Sequence, residues 1–308
     1  MATEITFLGT GGSWPSRERN VPAVGIRLDG QVILLDCGEG TQRQLMRSNL
    51  SFMAISRVFI SHFHGDHFLG LAGMIQSMAL NDRVEPLHIH GPPRSEEFVR
   101  RLLNAGHFGL NFPVIVHDLG ADDAVRFDRY TVRPIVVDHS VPTYGYVIQE
   151  DERLGRFDRA KAEALGIPPG PLYKRLHRGD TVEHDGRTFT SDMVVGPPRP
   201  GMRIVYSGDT RPSRAVEEAA KGADVLIHEA TLLSALAEKA HAYGHSTAQD
   251  AAEIASRAGV RYLFLVHMSP RYRDPAPILD EARAVFKDAI VPEDLSEYVI
   301  PYAEAGES

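Results

Sequence analysis

Ser61-His62-Phe63-His64-Gly65-Asp66-His67 places four potential metal ligands within six residues, directly after the apolar run Val58 to Ile60. A helix would scatter His62, His64 and His67 around its surface, whereas a loop leaving a buried strand can aim all three, with Asp66, into one pocket. Imidazole and carboxylate suit zinc, and a site without cysteine ligands keeps positions open for water. A chance cluster of surface histidines is the competing reading.

Such a motif needs partners from elsewhere in the chain. Three stand at the ends of strand-like runs: His139 after Ile135-Val136-Val137-Asp138, Asp209 in Tyr206-Ser207-Gly208-Asp209, and His267 after Leu263-Phe264-Leu265-Val266. Singly, each reads as a hydrogen-bonded structural residue. Together they complete seven ligands for two metal ions. The expected partition is His62, His64 and His139 on one ion, Asp66, His67 and His267 on the other, and Asp209 between them. Ligands that follow strands fit an α/β sheet, which carries its chemistry on loops at strand ends.

The surrounding pattern agrees. Ile5 to Leu8, Val32 to Asp36, Val58 to Ile60, Val132 to Asp138, Arg203 to Tyr206, Val225 to Ile227 and Tyr262 to Val266 read as strands. Phe68 to Leu80, Ser95 to Asn104 and Thr247 to Ala258 read as helices, the last with Ala251, Ile254, Ala255 and Ala258 on one face and a cap expected from Ser246 or Thr247. The stretch from about 150 to 200 shows no core pattern. From Arg153 to Arg178 it carries seven cations (Arg153, Arg156, Arg159, Lys161, Lys174, Arg175, Arg178) against Asp158 and Glu163. It also holds the turn-rich string Gly166-Ile167-Pro168-Pro169-Gly170-Pro171-Leu172-Tyr173. It reads as an insertion projecting from one large domain of residues 1–308, either a solvated excursion or a grip for a polyanion.

Composition narrows the classes. With 43% hydrophobic and 24% charged residues the 308-residue chain has the make-up of a soluble globular protein. A formal net charge of −8 excludes a general basic nucleic-acid binder, so any RNA must meet locally positive surface. Cys37 is the single cysteine and reads as a packed thiol at a strand end. Met1-Ala2-Thr3-Glu4 lacks the positive start of a signal peptide, and no run reaches the length of a membrane span, so the expectation is a cytoplasmic protein without membrane contact.

At residues 62 to 67 the chain resembles the metallo-β-lactamase superfamily, whose H-x-H-x-D-H signature is matched there and whose further ligands arrive in the same order, His, Asp, His. The resemblance implies an αβ/βα four-layer sandwich with a dinuclear zinc site, two ions per subunit, at one edge of two sheets. Three features are similar to the tRNase Z family within it. His228-Glu229-Ala230-Thr231 with His245-Ser246-Thr247 looks like that family's Glu–His pair, in which the histidine protonates the departing ribose oxygen. Pro15-Ser16-Arg17-Glu18-Arg19-Asn20 resembles its P-x-K-x-R-N element, with Arg17 in place of lysine. The string ending at Tyr173 resembles the flexible arm, or exosite, of the bacterial short-form enzymes.

The family then implies a zinc-dependent endoribonuclease acting on precursor tRNA. The cut leaves a 3′-hydroxyl on the tRNA and a 5′-phosphate on the trailer. Asp66, His245 and Glu229 take catalytic roles, and Arg17, Arg19, Thr231, Gly170, Pro171, Tyr173 and Lys174 bind substrate. A homodimer is implied, the arm of one subunit serving the site of the other. Two readings compete: a hydrolase of the same fold acting on a small ester, thioester, cyclic nucleotide or sulfate ester, and a catalytically silent RNA- or partner-binding module.

Overall fold

Runs such as Val32-Ile33-Leu34-Leu35 and Val225-Leu226-Ile227 are apolar at every position, as strands covered on both faces must be. The computed structural model, which describes residues 3–107 and 109–303, covers them on both faces. These residues fall into two compact units, one of residues 3–149 and 203–302, the other chiefly of residues 150–202.

In the larger unit the chain runs through β1 (Thr3–Gly9), β2 (Ala23–Leu28), β3 (Gln31–Leu35), β4 (Ile55–Phe59), β5 (Leu87–Gly91) and β6 (Val114–Asp118), then β7 (Val125–Arg126), β8 (Tyr130–Val136) and β9 (Tyr144–Glu150). The smaller unit contributes the hairpin β10 (Val182–His184) and β11 (Arg187–Phe189). The larger unit resumes with β12 (Arg203–Tyr206), β13 (Val225–Glu229), β14 (Tyr262–Val266), β15 (Ala289–Ile290) and β16 (Glu297–Ile300). Two seven-stranded sheets result, ordered β16-β1-β2-β3-β4-β5-β6 and β15-β14-β13-β12-β9-β8-β7.

Side chains two apart along a strand share a face, and the sheets use this period. Val32 and Leu34 pack in one apolar cluster with Leu71, Met74 and Met78 of the helix Gly70–Leu80. Leu263 and Leu265 pack in another with Ala251, Ile254 and Ala255 of the helix Ala248–Ala258. Residues of opposite parity meet between the sheets, where Phe7 lies 5.0 Å from Phe264 and Phe59 lies 5.3 Å from Tyr146, ring centre to ring centre. The unit therefore has four layers, helices outside and two sheets within, and each fully buried large apolar side chain contributes about 1.5–3 kcal/mol. Thr247 proves to be the cap of the helix Ala248–Ala258: its hydroxyl accepts from Asp250 N while the Asp250 carboxylate accepts from Thr247 N. Cys37 is fully buried, and burial pushes its thiol pKa up, as a packed cysteine requires.

Two expectations are corrected. The helix expected over 68–80 is broken at Leu69 into a single turn, Gly65–Phe68, and the helix Gly70–Leu80. Gly70 meets the Gly38 carbonyl so closely that a Cβ there would lie 2.0 Å from its oxygen. The second concerns residues 150–202, which are a folded unit with its own core. Ala162, Ile167, Leu176, Val182, Phe189 and Val194 are buried together, and Phe157 and Tyr173 pack against them. Helices Arg159–Ala164 and Pro171–His177 supply part of this core; the turn-rich string links them, and only its last three residues, Pro171 to Tyr173, are helical. No helix of the described residues is long and apolar enough to cross a membrane.

Candidate metal centre

β12, β13 and β14 run parallel, so their C-terminal ends meet at one edge. Asp209 follows β12 by three residues, Glu229 ends β13, and His267 immediately follows β14. From the other sheet β4 leads through Ser61 to His62 and His64, and the turn Gly65–Phe68 carries Asp66 and His67. The expected single loop is thus half loop and half helical turn. The strand expected to reach Asp138 stops at Val136, because Asp138 N donates instead to Thr210 Oγ1. His139 stands on the loop that follows.

All seven expected ligands converge. His64 Nδ1 lies 3.0 Å from His62 Nε2 and 3.2 Å from His139 Nε2. Asp66 Oδ2 lies 3.6 Å from His67 Nε2 and 3.4 Å from His267 Nε2. Asp209 Oδ2 stands between the two groups, 3.7 Å from His62 Nε2, 3.3 Å from His67 Nε2 and 3.2 Å from His267 Nε2. Three ligand atoms can meet one ion in each of the triads His62/His64/His139 and Asp66/His67/His267.

The surrounding hydrogen bonds decide which ring nitrogen is free. His67 Nδ1 is 2.8 Å from Asp36 Oδ2, an acceptor, so the proton sits on Nδ1. His139 Nδ1 donates to Gly244 O at 2.7 Å. Ser61 Oγ donates to Asp36 Oδ2 at 2.8 Å, which leaves it to accept from His62 Nδ1 at 3.0 Å. Thr231 Oγ1 donates to Glu229 Oε2 at 2.5 Å and accepts from His267 Nδ1 at 2.8 Å. Four imidazoles are thus held with an Nε2 lone pair aimed inward, the arrangement by which outer partners orient metal ligands. Burial pushes His62, His64 and His139 toward the neutral form.

This donor set fits divalent cations. His67 Nε2 is buried with no hydrogen-bond partner among the described residues. Asp209 is buried and Asp66 largely so, and among the described residues their only ionic partners are histidines. Buried carboxylates that meet no Lys or Arg call for a cation. An all-imidazole and carboxylate set, with no thiolate, is the kind that zinc accepts in open sites.

Sequence reasoning missed the residues that hold this geometry. Asp36 is fully buried and accepts from Ser61 N at 2.6 Å, Ser61 Oγ, His67 Nδ1 and Tyr206 OH at 2.6 Å. A carboxylate closing an apolar strand was its only local signal. Gly12 is the other: a Cβ there would lie 2.5 Å from the His267 ring, so only glycine lets that loop cover the site.

Beside the ligands, Glu229 Oε1 accepts from Thr210 N at 2.7 Å and from His245 Nδ1 at 3.0 Å. Burial opposes a charge on His245, but the Glu229 carboxylate outweighs it, and the pKa is pushed up to about 9. The Glu229 carboxylate thus favours the protonated form of the His245 ring. In the 15–20 turn Arg17 is exposed, whereas Arg19 Nη1 donates to Thr10 Oγ1 and to Pro292 O at 2.7 Å, bracing the loop. In the smaller unit Gly170, Pro171 and Lys174 are exposed, while Tyr173 OH donates to Ile167 O at 3.2 Å.

Residues 3–107 match a family model described as anti-Pycsar protein Apyc1, and residues 175–268 one described as a beta-lactamase superfamily domain. Ribonuclease Z of Methanosarcina acetivorans is 48% identical over 97% of this chain and 98% of its own. Ribonuclease Z of Haloferax volcanii is 46% identical over 99% of this chain and 97% of its own. Both are archaeal, so they lend no support to the bacterial part of the expectation. The crystal structure of human tRNase Z, short form, superposes with a TM-score of 0.70 at 28% identity, over 97% of this chain and all of that one. The metallo-beta-lactamase fold protein YhfI from Bacillus subtilis, at 18% identity, shares the fold with a TM-score of 0.69 over 97% of this chain and 99% of its own. The architecture is the metallo-β-lactamase fold.

Proposed function

Because the chain belongs to the ribonuclease Z family, we propose that it is a zinc-dependent, short-form endoribonuclease that removes the 3′ trailer from precursor tRNA, leaving a 3′-hydroxyl on the tRNA and a 5′-phosphate on the trailer. The observation that carries this reading is the convergence of two ligand triads on a shared Asp209, with a Glu-supported histidine beside them.

His62, His64 and His139 would hold one ion, Asp66, His67 and His267 a second, and Asp209 would touch both. Bound there, such ions supply a nucleophile at neutral pH and neutralise charge on a phosphodiester in transit. The remaining work falls to side chains. Asp66 is fixed by Ser13 N at 2.7 Å and takes the proton of the attacking water. His245 gives Nδ1–H to Glu229 and keeps Nε2–H for the departing ribose 3′-oxygen, a poor leaving group unless protonated. Thr231 ties Glu229 to His267, so the acid and a ligand move together. Arg17 faces solvent at the loop tip, available to a phosphate. The smaller unit, through the cations of residues 153–178 and with Gly170, Pro171, Tyr173 and Lys174, is assigned the grip on the tRNA body, in a cytoplasmic homodimer.

The test is incubation with a 3′-extended precursor tRNA and mapping of both new ends. A single cut after the discriminator nucleotide supports the reading, and an uncut precursor beside rapid hydrolysis of a small ester refutes it. His245→Ala should slow precursor cleavage by about 10²–10⁴. Bis(p-nitrophenyl) phosphate, whose leaving group needs no proton, should lose far less. Equal losses would make His245 structural.

A further inference from the structure

One surface feature of the larger unit is not used by this chemistry. The loop that begins at Gly12, over the His267 ring, continues through Ser13, whose N–H holds Asp66, and then presents Trp14, 61% exposed and the only tryptophan in the chain. An indole left in water one residue from a group that fixes Asp66 needs a reason, because exposing it forfeits burial. Trp14 lies in a notch with Ser16, Glu18, Arg19, Met268 and Ser269, the last two following His267 in the chain. On the other side Ser16, Glu18 and Arg19 also line a cleft of about 540 Å³. That cleft is walled by Arg17, Arg43, Arg47 and Arg273 as well.

Five arginines face three carboxylates in that cleft, on a body whose net charge is −8. The carboxylate of Asp294 is already engaged by Thr10, Asn20 and Gln44. Among the described residues Arg17, Arg43, Arg47 and Arg273 form no ion pair, and Arg43, Arg47 and Arg273 are exposed. Arg43 and Arg47 stand four apart on the helix Thr41–Arg47, hence on one face. Guanidinium groups without an ion pair, of which Arg47 donates to Gln44 Oε1 at 3.0 Å, line a cleft that shares Ser16, Glu18 and Arg19 with the notch of an exposed indole. Cations and a ring are the two parts from which single-strand sites are made, phosphates on the cations and a base on the ring.

We propose that Trp14 and the cleft of Arg17, Arg43, Arg47 and Arg273 form a track for the unpaired RNA strand next to the scissile phosphate, with one base stacked on Trp14 and the following phosphates on the arginines. The assignment rests on the reading of the site as a ribonuclease. Two strands have this chemistry, the start of the trailer and the end of the acceptor strand.

The single tryptophan makes the test direct. Metal-loaded protein is titrated with a 5′-phosphorylated hexaribonucleotide, standing for the trailer, and with one ending in a 3′-hydroxyl, standing for the acceptor strand. The result expected is saturable quenching of Trp14 fluorescence by one of them, which identifies the strand. In an R43Q/R47Q protein the same quenching should need roughly tenfold more RNA, and the slope of log affinity against log salt should flatten by about 1.4. Trp14→Ala should raise the KM for precursor tRNA roughly tenfold, and Trp14→Phe should restore most of it. Quenching by neither oligonucleotide, or quenching that the double variant leaves unchanged, overturns the track. If the oligonucleotides quench but precursor tRNA is not cut, the track stands and the assignment of substrate falls. If precursor is cut without any quenching, the reverse holds.

Discussion

At the scale of single residues, the site depends on a carboxylate that is not itself among the expected ligands. Asp36 takes four hydrogen bonds and, through His67 Nδ1 and Ser61, sets two of the rings that point inward. Its backbone φ of 57° is left-handed, an unusual conformation for any residue but glycine. Asp36→Asn keeps the shape but turns one acceptor oxygen into a donor. The expected outcome is a loss of metal affinity of about 10–100-fold, the usual effect of removing such an outer partner, with the fold retained. Competition with a chromophoric chelator measures it, and unchanged affinity would show that the rings are oriented by packing alone. Asp36 escaped sequence reading because each of its partners is remote: Ser61 lies 25 residues away, His67 31 and Tyr206 170. The seven ligands were legible because four sit in one motif directly after an apolar run and the other three each follow a run of the same kind.

At the scale of elements, legibility followed apolarity. β12, β13 and β14 are covered on both faces and read as unbroken apolar runs, so they were found. β2, with Gly25 and Arg27, and β9, with Gly145, Gln149 and Glu150, mix polar residues into the run and were not. The smaller unit was missed for another reason. Its core draws Phe157, Ala162, Ile167, Leu176, Val182, Phe189 and Val194 from two short helices, a hairpin and the bends between them, so no one periodicity spans it. Because that core is self-contained and no ligand lies in it, chemistry and grip should separate. Replacing residues 151–201 by a short Gly-Ser linker should leave metal content and bis(p-nitrophenyl) phosphate hydrolysis largely intact. Precursor-tRNA cleavage should collapse, because remote contacts position the scissile phosphate, and the salt dependence of binding should flatten. A truncated protein that cuts precursor at the intact rate would leave the smaller unit without a role in the substrate complex.

At the scale of the whole molecule, ions bound by the two triads would also clamp the two sheets together. His62, His64, Asp66 and His67 follow β4 in one sheet, while Asp209 and His267 follow β12 and β14 in the other. Ions held there cross-link the layers, and a ligand bound only by the folded state adds RT ln(1 + [L]/Kd) to its stability. Elemental analysis of protein purified without chelator should give close to two zinc ions per chain. Stripping them should lower the Tm by several degrees, with recovery when zinc is returned. A stoichiometry near one at full activity would contradict the paired site, and an unchanged Tm would contradict the clamp.

The pairing of Thr3 with Ile300 at the edge of the first sheet sets an order of events during synthesis. Of the two neighbours of β1, β2 is made soon after it, but β16 follows every other strand, and His267 is almost as late. Until then β1 has an open edge, and the four-residue start of the metal site has no opposite wall. Such distant closure makes for slow folding and a long exposure to aggregation.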